Sequence, residues 1–243
     1  MTLFLASVRD AAEADVALGA GADIIDLKDP EEGALGALSP EAIAACVKCI
    51  ARRAPVSATV GDVPLQIAAV RGALRTAAAL GVDYVKLGLF PGSDTSFRIA
   101  LPDGDAARFR VIFVLFADAL PAFDAIELAA RAGASGLMFD TLGKRAGALT
   151  DHLPLSRLAA HVAAAKALGL TVGFAGSLRA ESVPNLLALR PDLLGFRGAL
   201  CRDGERGQPL DPVRLAAIRA LIPREASGLR EPNLPDLAAQ AMC

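Results

Sequence analysis

The stretch DIIDLKDPEEGALGAL, Asp23–Leu38, decides how the chain folds. It opens as an apolar strand, DIIDLK, ends that strand on a lysine, and continues into turn chemistry. In a doubly wound open sheet, a G-x-G-x-x-G phosphate fingerprint follows the first strand directly. No such fingerprint follows the first strand here. The Gly33–Gly36 pair in GALGAL has the wrong spacing, and no strand directly precedes it. In a closed barrel, by contrast, strand ends carry functional side chains into the mouth. Lysine is almost never fully buried unless it is paired or used, so Lys28 raises the question of which applies.

Outward from this stretch, short β-rich runs alternate with Ala/Leu-rich helical runs. Strands are expected at 3–7 (LFLAS), 23–28 (DIIDLK), 56–62 (VSATVGD), 83–89 (DYVKLGL), 110–118 (RVIFVLFAD), 136–140 (GLMFD), 171–176 (TVGFAG) and 193–198 (LLGFRG). Helices are expected near 10–19, 39–53, 64–80, 121–132, 155–168, 179–188 and 211–221, with a short one after Ser93. Glycine closes helices in LGAGAD, LGVDY, AGASG and LGLTV, because it adopts the left-handed conformation at C′ without strain. GAGADIID and AALGVDYVK form an internal echo, as repeated αβ junctions should. Eight alternating units without a break in composition predict a single-domain α/β protein, a (β/α)8 TIM barrel over residues 1–222. The doubly wound sheet is the alternative. The Pro-rich polar tail, 223–243, reads as a C-terminal extension, surface-lying or partly disordered.

Bulk properties exclude several classes. The chain has 243 residues, 53% hydrophobic and 21% charged, enough for a sizeable core. A formal net charge of −2 gives no footprint for nucleic acid. No apolar run reaches the roughly 18–20 residues needed to span a bilayer. MTLFLASVRD lacks a basic n-region, and its apolar run is too short for a signal peptide, so a cytoplasmic location is expected. Cys46 and Cys49 form a C-x-x-C, but within the helical run EAIAACVKCIARR, which favours plain helix cysteines in a reducing compartment over a redox or zinc site. His152 and His161 show no H-E-x-x-H pattern, so neither a histidine metal site nor a Ser-His-Asp triad is expected. No metal and no cofactor are expected. Apolar residues exposed on the Ala/Leu-rich helices permit subunit contacts, and a homo-oligomer is expected.

Lysine is scarce, with five against twenty arginines. Lys48 and Lys166 lie on helices and read as solvated. Lys28, Lys86 and Lys144 lie at or after strands. Side chains alternate along a strand. Ile25 and Leu27 suit the outer face that meets the helices, which turns Asp26 and Lys28 inward. The same logic sets Val85, Leu87, Leu137 and Phe139 outside, with Tyr84, Lys86, Met138 and Asp140 inside. Two lysines and two aspartates then converge near the C-terminal mouth, where barrel enzymes keep their sites. Asp118, closing strand five, is a possible addition. A free amine in such a place can attack a carbonyl and form a Schiff base, while a neighbouring carboxylate orients it and moves protons. A structural plug of Lys–Asp pairs is the plainer alternative, weighed against the tendency of such groups to cluster at functional sites.

FAGS (174–177) and GFRGAL (195–200) end strands seven and eight, where barrels commonly build a phosphate cradle. Gly176, Ser177, Arg197 and Gly198 are the candidates, since glycine admits backbone N–H groups and arginine binds phosphate in a bidentate manner. Simple turn chemistry is the alternative. Together these features suggest lysine-dependent, aldolase-like chemistry on a small phosphorylated carbonyl compound.

The phrases GADIIDLKDPEEGALGA, VSATVGDVP, GVDYVKLGL, LMFDTLGK, AGSL and GFRGALC, in order from about residue 5 to about residue 205, resemble the (5-formylfuran-3-yl)methyl phosphate synthase family. This is also called the 4-(hydroxymethyl)-2-furancarboxaldehyde-phosphate synthase family. The resemblance implies a (β/α)8 barrel that condenses two molecules of glyceraldehyde 3-phosphate into a phosphorylated furan aldehyde for a methanofuran-type cofactor, losing phosphate and water. It implies a Schiff-base lysine in a D-x-K-[ND]-P motif, matched by Asp26-Leu27-Lys28-Asp29-Pro30. It implies a proton-transfer lysine in V-D-Y-[IV]-K, matched by Lys86. It also implies a pair in D-T-x-x-K, matched by Asp140 and Lys144. The Pro/Gly-rich segment FPGSDTSFRIALPDGDAARFRVI and the tail past Arg206 depart from the pattern. Two other readings use the same residues differently. An ordinary Schiff-base aldolase would keep both phosphates and give no aromatic product. A phosphosugar-binding barrel would need the phosphate loops without the paired lysines.

Overall fold

Runs such as Leu3–Val8 and Arg110–Phe116 are too short for a helix packed on both sides and are rich in Val, Ile and Phe, which suit a pleated surface. In the computed structural model, which describes residues 1–63, 67–90, 110–121, 124–143 and 146–224, they form eight parallel strands. These are β1 (Leu3–Val8), β2 (Ile24–Leu27), β3 (Val56–Thr59), β4 (Tyr84–Leu89), β5 (Arg110–Phe116), β6 (Gly136–Asp140), β7 (Thr171–Phe174) and β8 (Leu193–Phe196). They hydrogen-bond in sequence order and close into a barrel through β1 and β8. The expected (β/α)8 architecture is therefore the observed one.

The helices are α1 (Ala11–Gly19), α2 (Pro40–Ile50), α3 (Ile67–Ala79), α4 (Ala125–Arg131), α5 (Leu149–His152), α6 (Leu155–Ala167), α7 (Val183–Ala188) and α8 (Pro212–Leu221). Asp10, Ser39, Asp124 and Asp211 cap the N-termini of α1, α2, α4 and α8 by accepting backbone N–H groups. Gly21, Gly81, Gly133 and Gly169 all have positive φ, as the four glycine stop signals require. The α5 turn has four residues, too few for a periodic signal, and was not anticipated. The helix expected after Ser93 and most of the tail lie outside the described residues.

Two apolar layers follow from strand alternation. Outside the barrel, Phe4, Ile25, Leu27, Val85, Leu87, Leu137, Phe139 and Phe174 pack against the helices. Each such side chain, fully buried, stabilises the fold by about 1.5–3 kcal/mol. Inside, Ile24, Tyr84, Ile112 and Leu193 close the N-terminal end, with Leu5, Val114 and Met138 above them. The inner faces predicted for Tyr84 and Met138 are the observed ones. Leu193 packs into the space left by Gly173, where a Cβ would stand 2.6 Å from its Cδ1, and Met138 Cε lies 3.2 Å from the same point.

The internal echo has a physical basis. Asp23, Asp83 and Asp192 each precede an even-numbered strand. Each carboxylate accepts the N–H of a residue on the preceding strand: Phe4 at 2.8 Å, Val56 at 2.7 Å and Val172 at 2.8 Å. These clasps satisfy donors that the barrel ladder leaves unmet. Replacing Asp83 by alanine is expected to lower unfolding free energy by about 1–2 kcal/mol, the lower part of the range for an unmet donor, because Asp83 is exposed and water replaces part of the bond. A urea midpoint unchanged from wild type would show that the clasp does not stabilise the barrel.

Candidate active site

The mouth is built from inward-facing residues toward the C-terminal ends of the strands. Register sets Asp26 beside Ser7 on β1 and Ser57 on β3. Ser7 Oγ donates to Asp26 Oδ2 at 2.8 Å, and Ser57 Oγ donates to Asp26 Oδ1 at 2.6 Å. Lys86 Nζ lies 2.8 Å from Asp26 Oδ1. Lys28 Nζ lies 3.7 Å from Asp140 Oδ2, while Asp140 Oδ1 accepts the Thr141 N–H at 2.7 Å. Asp26, Lys86, Asp140 and Lys28 are only 2, 4, 5 and 9% exposed. Four ionisable groups this deeply buried persist because each cation faces a carboxylate and each carboxylate also accepts hydrogen bonds. Lys28 is therefore a paired lysine, and it also lines an open cleft.

That cleft has a volume of about 1090 Å³ and is lined by Ser7, Asp26, Lys28, Thr59, Lys86 and Asp140 among others. The loop after Lys28 shapes one wall. Asp29 N–H donates to Gly36 O at 2.9 Å, and Thr59 Oγ1 donates to the same carbonyl at 2.6 Å. A Cβ at Gly36 would meet Asp29 O at 2.5 Å, so only glycine permits this closed loop. It drops Leu35 into the inner core, 1% exposed.

The structure sorts the predicted site residues. Lys28, Lys86, Asp26 and Asp140 come together, while Lys144 lies outside the described residues. Gly176 and Ser177 line the cleft with φ of 92° and 50°, a left-handed pair that turns the chain at the end of β7. A Cβ at Gly176 would meet Thr141 N at 2.8 Å. Gly198 also lines the cleft, where a Cβ would stand 3.1 Å from Gly204 O.

Arg197 requires a correction. Its guanidinium donates to Glu13 through both terminal nitrogens, to Ser7 O at 3.2 Å and to Gln208 O at 3.2 Å, and its Nε donates to Arg206 O at 2.9 Å. All five N–H groups are thus spent on the protein, so Arg197 ties the segment after β8 to α1 and offers none to a phosphate. Asp118 is not among the residues lining the cleft. Its carboxylate accepts Leu142 N–H and Gly143 N–H, both at 2.7 Å. Burial opposes its ionisation, but these two donors, with its own backbone N–H and His152, together hold the carboxyl below the ordinary range. Asp118 therefore anchors the loop that leads from Asp140 toward Lys144.

Sequence reasoning missed Ser7 and Ser57, whose role appears only once strand register is known. It also missed Arg206 on the rim. Cys46 is buried on α2, where burial pushes its thiol up to about 11, and Cys49 donates to Ala11 O at 3.4 Å. Both are free thiols. No helix among the described residues is long and apolar enough to cross a membrane.

Fold and mouth together define a class: (β/α)8-barrel proteins with paired lysines and carboxylates at the C-terminal ends of the strands. The chain belongs to the 4-HFC-P synthase family, whose model matches residues 4–219, and is accordingly an enzyme of the synthase type. The (5-formylfuran-3-yl)methyl phosphate synthase of Methanopyrus kandleri is 38% identical over 222 residues, covering 86% of this chain and 92% of that protein. The synthase of the same name from Methanocaldococcus jannaschii is 36% identical over 218 residues, covering 84% and 92%. A Methylorubrum extorquens protein, named provisionally for the same synthase, is 46% identical over 219 residues, covering 89% and 90%. The solved 3-hexulose-6-phosphate synthase superposes with a TM-score of 0.65 at 20% identity, covering 92% of this chain and all of that one. A solved KGPDC from Streptococcus mutans gives 0.66 at 11%, covering 90% and 96%. At these identities the likeness speaks for the barrel alone.

Proposed function

We propose that this enzyme condenses two molecules of glyceraldehyde 3-phosphate into (5-formylfuran-3-yl)methyl phosphate, releasing one phosphate and two waters, through a Schiff base on Lys28. The observation that carries this reading is the convergence of two buried Lys–Asp pairs on one cleft, at the motif positions of a family whose relatives bear that synthase name.

Lys28 attacks the aldehyde of one triose phosphate, and loss of water gives the iminium. The iminium acidifies the adjacent carbon, and Lys86, held by Asp26, accepts its proton. The resulting enamine electrons expel phosphate from C3, which leaves with the bonding pair. The second triose phosphate, giving up its C2 proton, adds through that carbon to C3 of the unsaturated iminium, the bond that sets the substitution pattern of the product. Ring closure and dehydration give the furan, and hydrolysis frees Lys28. Asp140 orients Lys28, and Lys144, from the same motif, is assigned to proton transfer. Gly176, Ser177 and Gly198 receive the retained phosphate through backbone N–H groups.

The test is to incubate the protein with glyceraldehyde 3-phosphate alone, following near-ultraviolet absorbance and released phosphate. The expected result is a furan chromophore with one phosphate per two trioses. The absence of both signals would overturn the proposal. Phosphate without a chromophore would reduce it to a lysine-driven elimination.

A further inference from the structure

A reaction of two triose phosphates brings two phosphate groups to one mouth, and the cations lining it are unequal. Lys28 and Lys86 face Asp140 and Asp26. Every N–H of Arg197 is engaged. Arg179 and Arg214 are exposed on the outer rim. Arg206 differs from all of these. It is half-buried on the cleft wall, and its field reaches Asp140 and Asp29. Among the described residues its guanidinium makes one hydrogen bond, from Nη2 to Gly33 O at 3.1 Å. The rest of its donor fork has no protein partner there.

We infer that Arg206 forms an anion subsite separate from Gly176–Ser177, and that it holds the phosphate of the triose bound to Lys28, the group that leaves. This rests on the reaction proposed above. Three features support it. First, the fork can bind a phosphate through two parallel N–H···O bonds, a geometry a lysine cannot supply. Second, burial lowers the Arg206 guanidinium from its ordinary value, with Asp140 acting against that and Arg197 adding to it; a bound anion favours its charged form. Third, its position is fixed from both sides. Arg206 O accepts from Arg197 Nε at 2.9 Å, and Arg197 is itself locked to buried Glu13. On the other side, the Gly33 bond ties Arg206 to the loop that follows Lys28. Arg197 is thus a positioning residue for Arg206. When the enamine on Lys28 breaks the C3–O bond, the electron pair goes to the phosphate, and Arg206 stabilises the charge that develops.

The experiment titrates the intact protein with inorganic phosphate by calorimetry, for wild type, Arg206→Gln and Arg206→Lys. Adducts trapped with borohydride are compared for glyceraldehyde 3-phosphate and for glyceraldehyde. Arg206→Gln is expected to weaken phosphate binding by about tenfold or more, with Arg206→Lys between it and wild type. Trapping of glyceraldehyde 3-phosphate should fall while trapping of glyceraldehyde is kept, which also shows that the variant is folded. Wild-type phosphate affinity in Arg206→Gln, or no phosphate binding by wild type, overturns the subsite. Because this titration needs no turnover, a subsite that stands in a protein forming no furan would condemn the reaction and not the subsite.

Discussion

Replacing Lys28 by arginine is expected to lower kcat/KM for furan formation by about 10³-fold or more, the scale on which enzymes lose rate when a covalent nucleophile is removed. Arginine preserves the charge opposite Asp140 but cannot give up a proton to become a nucleophile. The fold should survive, since the cation and its partner remain. After incubation with glyceraldehyde 3-phosphate and borohydride, the intact mass of wild type should rise by one reduced triose adduct, and that of Lys28→Arg should not. Lys86→Met provides the contrast. It should still trap an adduct yet make no furan, because it keeps the nucleophile and loses the base. An adduct of undiminished yield on Lys28→Arg would move the Schiff base to another lysine.

The second large effect falls on stability. Asp26 accepts from Ser7 and Ser57 and neutralises Lys86 at 2.8 Å, all within the inner barrel. Asparagine at 26 can still bond both hydroxyls, accepting from one through Oδ1 and donating to the other through Nδ2, but leaves the Lys86 ammonium without a counter-charge at 4% exposure. Breaking one side of a buried pair costs about 3–5 kcal/mol, a large share of the roughly 5–15 kcal/mol that holds a domain folded. Asp26→Asn should therefore unfold at much lower urea. Asp26→Asn combined with Lys86→Met should regain most of the loss while remaining inactive. If the single substitution shifted stability by less than about 0.5 kcal/mol, the range of an ordinary surface change, the pair would not be a structural unit.

The inward and outward assignments were legible because alternation along a strand is a local property. Ile25 and Leu27 against Asp26 and Lys28 needed no knowledge of neighbours. Strand ends were less legible. The runs predicted to 62, 118, 176 and 198 stop at Thr59, Phe116, Phe174 and Phe196. Gly61 and Gly176, with φ of 78° and 92°, bend the chain into the mouth while its residues still look strand-like. The roles of Ser7, Ser57 and Arg197 were beyond local reading. Ser7 and Ser57 act through cross-strand register. Arg197 resembled a phosphate ligand because Glu13, the partner that occupies it, lies 184 residues away in the chain.

The aspartate clasps make the barrel modular. The gripped residue lies 19, 27 and 20 residues before Asp23, Asp83 and Asp192, so each clasp closes a short loop at little entropic cost. Each joins one strand to the next as a unit: β1 with β2, β3 with β4, and β7 with β8. A circular permutant with its new ends between β2 and β3 would keep all three as short-range contacts. One opened between β3 and β4 would turn the Val56–Asp83 clasp into a contact spanning almost the whole permuted chain, and should fold more slowly although the finished barrel is the same.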